Sequence, residues 1–212
     1  NRVAFAPITQ TVDHVALSNG KIFWNERNTS VAFFSKAIAG GNVTPAGTHT
    51  NNSNMFTVAG DCVYFRTFVN SVYGLSESCA GATPIGRHSS TTNLLLSAHD
   101  ASDSTMLYFG VRGSGIYRLP ITQSTQATRV IAGIESKFPI VDGNQLYYID
   151  GDTGGAPACT TNWGIYRTSK QPDSERVTLL APPLNCPDSL ATDDKAMYWL
   201  YLTTGAVMKM AK

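Results

Sequence analysis

Tyr108-Phe109 stands just before Gly115-Ile116-Tyr117-Arg118, and this succession of two apolar segments recurs through the whole chain of 212 residues. The first segment is a pair of large apolar residues, present as Phe23-Trp24, Tyr64-Phe65, Tyr108-Phe109, Tyr147-Tyr148 and Tyr198-Trp199. The second members of these pairs lie 41, 44, 39 and 51 positions apart (65−24, 109−65, 148−109, 199−148). The second segment follows as Ala32-Phe33-Phe34-Ser35, Ser71-Val72-Tyr73-Gly74, Gly115-Ile116-Tyr117-Arg118, Gly164-Ile165-Tyr166-Arg167 and Ala206-Val207-Met208-Lys209. A repeat of about forty residues with several short strands is typical of a β-propeller blade.

The ends of the chain complete the pattern. Four repeats continue into an outer strand, at Val43–Pro45, Ala82–Ile85, Thr128–Ile131 and Glu175–Thr178, whereas the fifth stops at Lys212 without one. Residues 1–6, Asn-Arg-Val-Ala-Phe-Ala, match the outer strands that contain Arg129 and Arg176. An outer strand at the other end of the chain would close the ring and cover two exposed sheet edges. The alternative is that residues 1–6 are a frayed terminus.

We therefore predict an all-β fold, a single five-bladed β-propeller over residues 1–212, closed by strand 1–6 joining the C-terminal blade. One all-β domain of this length buries a large core between sheets that pack face to face. The predicted blades span about 12–47, 54–86, 93–132, 137–181 and 187–212 plus 1–6.

Composition narrows the range of partners. Charged residues make up 15% of the chain, the net charge is +1, and Lys and Arg are scattered. This is not the footprint of a nucleic-acid or anionic-membrane binder. No apolar run approaches the roughly 18 residues that a membrane-spanning helix needs. We expect neither nucleic-acid binding nor membrane insertion.

The four cysteines can be placed by the repeat. If the second hairpin of the second blade turns at Asn70-Ser71, Cys62 and Cys79 fall opposite each other, where a cross-strand disulfide is geometrically reasonable. Cys159 and Cys186 both lie in connections predicted on one face of the ring, which suggests a second bridge. Two bridges indicate an oxidising compartment, extracellular or periplasmic; four reduced core thiols are the alternative. The sequons at Asn28, Asn42 and Asn51 matter only in a eukaryotic secretory pathway.

The loops that lead into the inner strands are predicted to lie on one face. They end in Asp13, Asn54, Asn93, Lys137 and Asp188. Asp and Asn there are expected mainly to cap turns, with a polar ring around the channel mouth as the alternative. Three of these loops place His49, His88 and Glu135 at one offset after a glycine. Two histidines and a carboxylate can bind zinc or another divalent metal, although exposed turn residues are the ordinary explanation. We expect no other cofactor.

The largest departure from the repeat lies in the fourth blade. From Tyr148 to Tyr166 the spacing is 18 residues, against 8 from Phe65 to Tyr73 and 8 from Phe109 to Tyr117. Insertions on a rigid repeat commonly carry binding residues. The stretch begins like a calcium loop but lacks its closing Glu. We predict a ligand site made by the insertion and the start of the fifth blade, with Asp150, Asp152, Asn162, Trp163 and Asp188 as its residues; a plain structural excursion is the alternative.

A family resemblance rests on the fifth repeat. Residues 189–199, Ser-Leu-Ala-Thr-Asp-Asp-Lys-Ala-Met-Tyr-Trp, followed by 204–209, Thr-Gly-Ala-Val-Met-Lys, resemble the repeats of secreted bacterial propellers related to the YWTD and TolB-like groups. No repeat holds the full Tyr-Trp-Thr-Asp string, since Leu200 and Asn25 stand where it would continue. Receptor propellers of that type have six blades. Five blades of this size look more like the tachylectin-type lectins, whose sugar sites recur between blades, but no motif carries their binding residues onto this chain.

Two classes of function follow. The first is an extracellular, non-enzymatic glycan-binding module, because Asn, Asp and aromatic side chains suit sugar hydroxyls and apolar sugar faces. The second is a protein-interaction or structural propeller domain of a larger secreted or surface protein. An enzyme is the least favoured class: Asp13, Asp150, Asp152 and Asp188 are scattered acids, and no nucleophile elbow, phosphate loop or zinc-protease motif occurs.

Overall fold

The structure is a computed structural model that describes residues 11–212 except 28–30, 50–55, 70–71, 80–84, 91–93, 96–104, 122–126, 134–136, 152–162, 185 and 202. These residues form nineteen β-strands in five antiparallel sheets. They contain no helix, and hence none long and apolar enough to cross a membrane. The predicted closing strand, residues 1–6, lies outside the described residues.

The sheets follow the chain, and neighbours in sequence pair within each sheet. Sheet 1 holds β1 (Thr11–Ser18), β2 (Lys21–Arg27), β3 (Val31–Ala37) and β4 (Thr44–His49). Sheet 2 holds β5 (Phe56–Ala59), β6 (Cys62–Val69), β7 (Val72–Cys79) and β8 (Ile85–Ser90). Sheet 3 holds β9 (Leu94–Leu95), β10 (Met106–Val111), β11 (Gly115–Pro120) and β12 (Thr128–Ile131). Sheet 4 holds β13 (Lys137–Asp142), β14 (Gln145–Asp150), β15 (Trp163–Ser169) and β16 (Val177–Leu184), and sheet 5 holds β17 (Pro187–Thr192), β18 (Ala196–Tyr201) and β19 (Ala206–Ala211).

The chain divides into two compact units, Asn1–Thr91 with sheets 1 and 2, and Thr92–Lys212 with sheets 3 to 5. The organisation as one closed domain therefore stays a prediction.

Each aromatic pair of the repeat lies on the second strand of its sheet, and in sheet 4 this strand packs against a neighbouring sheet on each face. Side chains alternate along a strand, so the two members of a pair point to opposite sides. Tyr147 belongs to a cluster with Met197 and Trp199 of sheet 5, whereas Tyr148 belongs to one with Tyr108 and Ile116 of sheet 3. This is why both members of the pair are apolar.

In the first unit the same packing joins sheets 1 and 2. Phe33 of β3 lies with its ring centroid 5.4 Å from that of Phe56 and 5.0 Å from that of Phe65, both on sheet 2. Phe23 and Val63 complete this core. Burial of several aromatic side chains is the main stabilising contribution that such short strands can make.

The cross-strand pairing in sheet 2 confirms the predicted disulfide. Val69 pairs with Val72, and the register carries Cys62 opposite Cys79. The two residues form a disulfide with their Cα atoms 4.2 Å apart. Closing a loop of this length stabilises a fold by about 3 kcal/mol in the chain-entropy description.

A one-residue bulge recurs in the outer pair of four sheets. It adds Ala46, Arg87, Val130 and Leu179 to the outer strands of sheets 1 to 4. In each sheet it lies level with the second member of the aromatic pair, for example beside Tyr117, which pairs with Phe109. A bulge increases the local twist of a strand.

Because of these bulges, the predicted bounds of the loops that lead into the inner strands are wrong. The outer strands run further than predicted, so that His49 ends β4 and His88 lies within β8 rather than in a loop. Asp13 likewise lies within β1, and Asp188 lies within β17. An unpaired extra residue lets the outer strand resume its pairing and continue along its neighbour, which shortens the connection to the next sheet.

Gly115 shows how close the bulged strands approach. Its φ is +120°, and a Cβ there would lie 2.0 Å from the backbone oxygen of Ile131. Only glycine fits this combination of backbone conformation and contact.

Candidate functional site

The connection between β14 and β15 is the longest of those that join the second and third strands. It spans residues 151–162, against residues 28–30, 70–71, 112–114 and 202–205 in the other four sheets. We name residues 151–162 the long loop. Asp152 and Asn162, two of the predicted site residues, lie in the part of it that is outside the described residues.

Asp150 anchors the start of the long loop. Its side chain is buried, and its Oδ2 accepts a hydrogen bond of 2.7 Å from Nη1 of Arg176. The guanidinium of Arg176 lies 3.4 Å from the centre of the Tyr166 ring, where a cation–π contact adds to the ion pair. Asp150 is therefore a paired carboxylate inside the sheet stack and not an exposed ligand group.

Arg176 is the ion-pair partner of Asp150, and the sequence did not predict it. The only available signal is that Asp150 stands at a strand end where sheet 3 has the apolar Val111, since both are the last residues of their strands. A carboxylate in an apolar position needs a cation nearby. The sequence does not identify which cation, because Arg176 is separated from Asp150 by 26 positions.

Trp163 anchors the end of the long loop. It begins β15, pairs with Leu184 and is only 2% exposed. It belongs to the apolar cluster between sheets 4 and 5, with Leu190, Met197 and Trp199. Trp163 was predicted as a residue of the ligand site, but its indole lies in the gap between the two sheets, because cross-strand pairing carries it there.

Asp188 lies at the same end of the stack as the long loop. Trp163 pairs with Leu184 at the end of β16, and β17 begins only three residues later at Pro187. Asp188 is half-buried, and its Oδ2 accepts a hydrogen bond of 3.1 Å from Oγ of Ser189. Among the predicted ligand residues that are described, Asp188 is the one with an accessible polar group.

Cys186 and Ser189 shape the backbone around Asp188. Their φ angles are +53° and +50°, a backbone region that residues other than glycine rarely adopt. Ser189 is the extra residue of a bulge between Asp188 and Leu190. Cys186 is buried and disulfide-bonded, and its predicted partner Cys159 lies outside the described residues.

The electrostatics at this end of sheet 4 come from Tyr148, Asp150 and Arg176. Burial raises the pKa of the Tyr148 hydroxyl above its ordinary value, and the neighbouring Arg176 charge partly opposes this. The hydroxyl has no hydrogen-bond partner among the described residues. Tyr148 therefore serves as a neutral packing residue next to Asp150 and Arg176.

Of the three residues predicted to bind a metal, His49 and His88 do not occupy equivalent positions in their sheets. His49 pairs with Val31, the first residue of β3, whereas His88 pairs with Leu75, in the middle of β7. Glu135 lies outside the described residues, and the binding of a metal by these three residues stays a prediction.

Comparisons with known proteins place the fold but not the function. No protein-family model matches the chain, and no curated protein matches it. A chain of a nidogen/laminin complex is similar in structure, with a TM-score of 0.52 and 12% identity over 91% of this chain and 89% of that chain.

Two further solved structures are similar. The computationally designed Ika8 protein gives a TM-score of 0.58 at 8% identity, over 95% of this chain and 71% of that chain. The uncharacterized protein lmo1340 from Listeria monocytogenes EGD-e gives a TM-score of 0.56 at 10% identity, over 100% of this chain and 70% of that chain.

Together with the five small antiparallel sheets in chain order, these likenesses define the class of fold. The protein has an all-β, β-propeller-like fold. At such low identities the likeness says nothing about a ligand.

Proposed function

We propose that this chain is an extracellular, non-enzymatic binding module that recognises glycans through the long loop and Asp188. The observation that carries the proposal is the anchoring of the loop at both ends. Asp150 is held by Arg176, and Trp163 is buried among the residues of sheets 4 and 5. A loop with fixed ends loses less conformational freedom when it binds a ligand, which favours affinity.

The residues of the loop have the chemistry that sugars need. The stretch from 151 to 162 contains Asp152 and Asn162 together with six threonine or glycine residues, which are Gly151, Thr153, Gly154, Gly155, Thr160 and Thr161. Carboxylate and amide groups bind pairs of sugar hydroxyls, and glycines let the backbone approach a ring closely. In this proposal Asp152, Asn162 and Asp188 contact the sugar, while Asp150 and Trp163 position the loop.

Cysteine oxidation supports an extracellular or periplasmic location. Cys62 is bridged to Cys79, and Cys186 is also in a disulfide. Structural disulfides persist in oxidising compartments and are rare in the cytosol.

The proposed architecture is a ring of five blades closed by residues 1–6. Sheet 5 has three strands among the described residues, whereas the other four sheets have four. Its last strand, β19, leaves Val207 74% exposed, whereas every residue of the third strands of sheets 1, 3 and 4 is buried or half-buried. An outer strand formed by residues 1–6 would cover this edge.

The test of function is a glycan-array screen of the full oxidised chain. We expect binding to a restricted set of glycans, with competition by a free monosaccharide contained in them. A blank array, together with capture of a single protein partner, would contradict the proposal and favour the protein-interaction alternative.

A further inference from the structure

Cys62, Cys79 and Glu77 form a compact group of metal-ligating atoms in sheet 2, away from the long loop. One ligand atom from each of the three lies within 4.8 Å of the others. Glu77 Oε1 lies 2.9 Å from Sγ of Cys79. The glycan site proposed above makes no use of these residues.

The backbone that carries the group is a regular hairpin. Eight consecutive pairs join β6 and β7, from Cys62 with Cys79 to Val69 with Val72. Glu77 lies two residues before Cys79 on β7, and alternate residues of a strand share one face. Breaking the disulfide therefore leaves the backbone pairing that presents all three side chains.

The three side chains are also reachable. Cys62, Glu77 and Cys79 are each half-buried, so that a reductant and a metal ion have access from one side. Val63 and Ser78 lie on the opposite face of the hairpin and are buried, Val63 in the core shared with sheet 1. Tyr64, on the same face as the group, is also buried. The group is therefore only partly open to solvent, on a hairpin that is fixed from its other face.

We propose that the reduced form of this hairpin is a divalent-metal site, with Zn²⁺ as the fitting ion. A dithiol reductant transfers two electrons and two protons to the disulfide and is itself oxidised to a disulfide. The two thiols then lose their protons on binding Zn²⁺, which takes two sulfur ligands and the Glu77 carboxylate. The fourth tetrahedral position is filled by water.

Only a small movement of the two cysteine side chains is required for zinc binding. Two thiolates on a tetrahedral zinc lie roughly 3.8 Å apart, as follows from Zn–S bonds of about 2.3 Å. Opposed strands with Cα atoms 4.2 Å apart can reach this separation by side-chain rotation once the S–S bond is broken. The oxidised protein has no thiolate to offer at this position, so that metal binding reports the redox state of the hairpin.

The test uses Co²⁺ as a spectroscopic probe on the full chain reduced with a phosphine. We expect one equivalent of Co²⁺ to produce a thiolate-to-cobalt charge-transfer band, displaced by Zn²⁺, in the reduced chain and not in the oxidised chain. Glu77→Gln should weaken binding at least tenfold, and Cys62→Ser should abolish the band while Cys159 and Cys186 remain. Asp61→Asn, which removes a neighbouring exposed carboxylate that pairs with Lys21, should leave the affinity unchanged.

Four results would overturn the inference. The first is the absence of the band from the reduced chain, and the second is a band that survives in Cys62→Ser. The third is an affinity that does not change in Glu77→Gln. The fourth is loss of the β-sheet circular dichroism signal on reduction, because the site requires the paired hairpin.

Discussion

At the scale of single residues, the two ends of the long loop have structural roles that their positions in the sequence do not reveal. Trp163 adjoins a stretch rich in Gly and Thr, which resembles an exposed loop. In the structure it pairs with Leu184 and fills the gap between sheets 4 and 5. Its contribution is to position the residues that precede it.

Trp163→Ala should therefore destabilise the fold. Removing a large buried aromatic side chain typically costs about 3–5 kcal/mol. Denaturant unfolding followed by circular dichroism measures the effect, and Trp163→Phe, which keeps most of the buried area, should lose much less. An alanine variant as stable as the parent would show that the indole is not in the core.

Tyr148 and Tyr117 offer a matched pair of hydroxyl deletions. The Tyr148 hydroxyl is buried without a hydrogen-bond partner among the described residues, whereas that of Tyr117 lies 2.6 Å from Oγ of Ser114. Tyr148→Phe should leave the free energy of unfolding unchanged or raise it, because no hydrogen bond is lost. Tyr117→Phe should lower it by about 1 kcal/mol. Equal losses in the two variants, measured by thermal unfolding, would contradict this assignment.

At the scale of strands and turns, Asp193 holds the turn between β17 and β18. Its Oδ1 accepts hydrogen bonds from the backbone N–H groups of Lys195 and Ala196, at 2.8 and 2.7 Å, and its Oδ2 accepts one of 2.8 Å from the Tyr198 hydroxyl. The Lys195 N–H contributes most to holding the pKa of this carboxyl below its ordinary value, followed by the Tyr198 hydroxyl.

A lowered pKa gives this turn a defined pH dependence. The folded protein favours the charged carboxylate, so that its stabilising contribution is present above the ordinary pKa of aspartate and is lost as the pH falls through the lowered value. Asp193→Asn should remove that part of the pH dependence and lower the melting temperature at neutral pH. Melting curves from acid to neutral pH that run parallel for the two proteins would contradict the role.

The extent to which the structure could be predicted from the sequence differs from element to element. The pairing of Val69 with Val72 sets the register that brings Cys62 opposite Cys79, and the predicted disulfide follows from this local relation. The aromatic pairs were likewise predicted on strands, because alternation and β-propensity agree there.

The bulges and the Asp150–Arg176 pair were not predicted, each for its own physical reason. An extra residue such as Val130 breaks the alternation of a strand without leaving a compositional mark, so that the lengths of β4, β8 and β16 could not be read from periodicity. The partner of Asp150 is set by the packing of β14 against the stretch that precedes β16, a non-local relation. The sequence located the insertion that was predicted to bind a ligand, but it did not show that Asp150 and Trp163 are buried.

At the scale of the molecule, side-chain bridges at turns join neighbouring sheets within each unit. Lys21 of sheet 1 pairs with Asp61 of sheet 2 at 2.8 Å, and Arg118 of sheet 3 donates to the backbone oxygen of Lys170, just after β15, at 3.1 Å. Lys212, which follows β19, pairs with Asp142 of sheet 4. Exposed pairs of this kind contribute little energy individually, so that stacking of the sheets depends on the apolar clusters.

Removal of residues 1–6 tests the proposed closure. If these residues form the outer strand of sheet 5, the β19 amide hydrogens that point away from β18 should exchange slowly in the full chain and rapidly in the deletion variant. The variant should also melt at a lower temperature and tend to oligomerise through its open edge. Hydrogen–deuterium exchange that is fast on β19 in both proteins would contradict the closure.

The central claim, recognition of glycans by an anchored loop, is tested most directly by a glycan array probed with matched variants. Asp152→Ala/Asn162→Ala/Asp188→Ala keeps both loop anchors and all four cysteines. Asp142→Ala/Asp194→Ala removes two acids at the turns β13–β14 and β17–β18, at the opposite ends of sheets 4 and 5. The account predicts that the triple variant loses array binding at an unchanged melting temperature, while the control variant binds like the parent. Glycan binding that persists in the folded triple variant would contradict it.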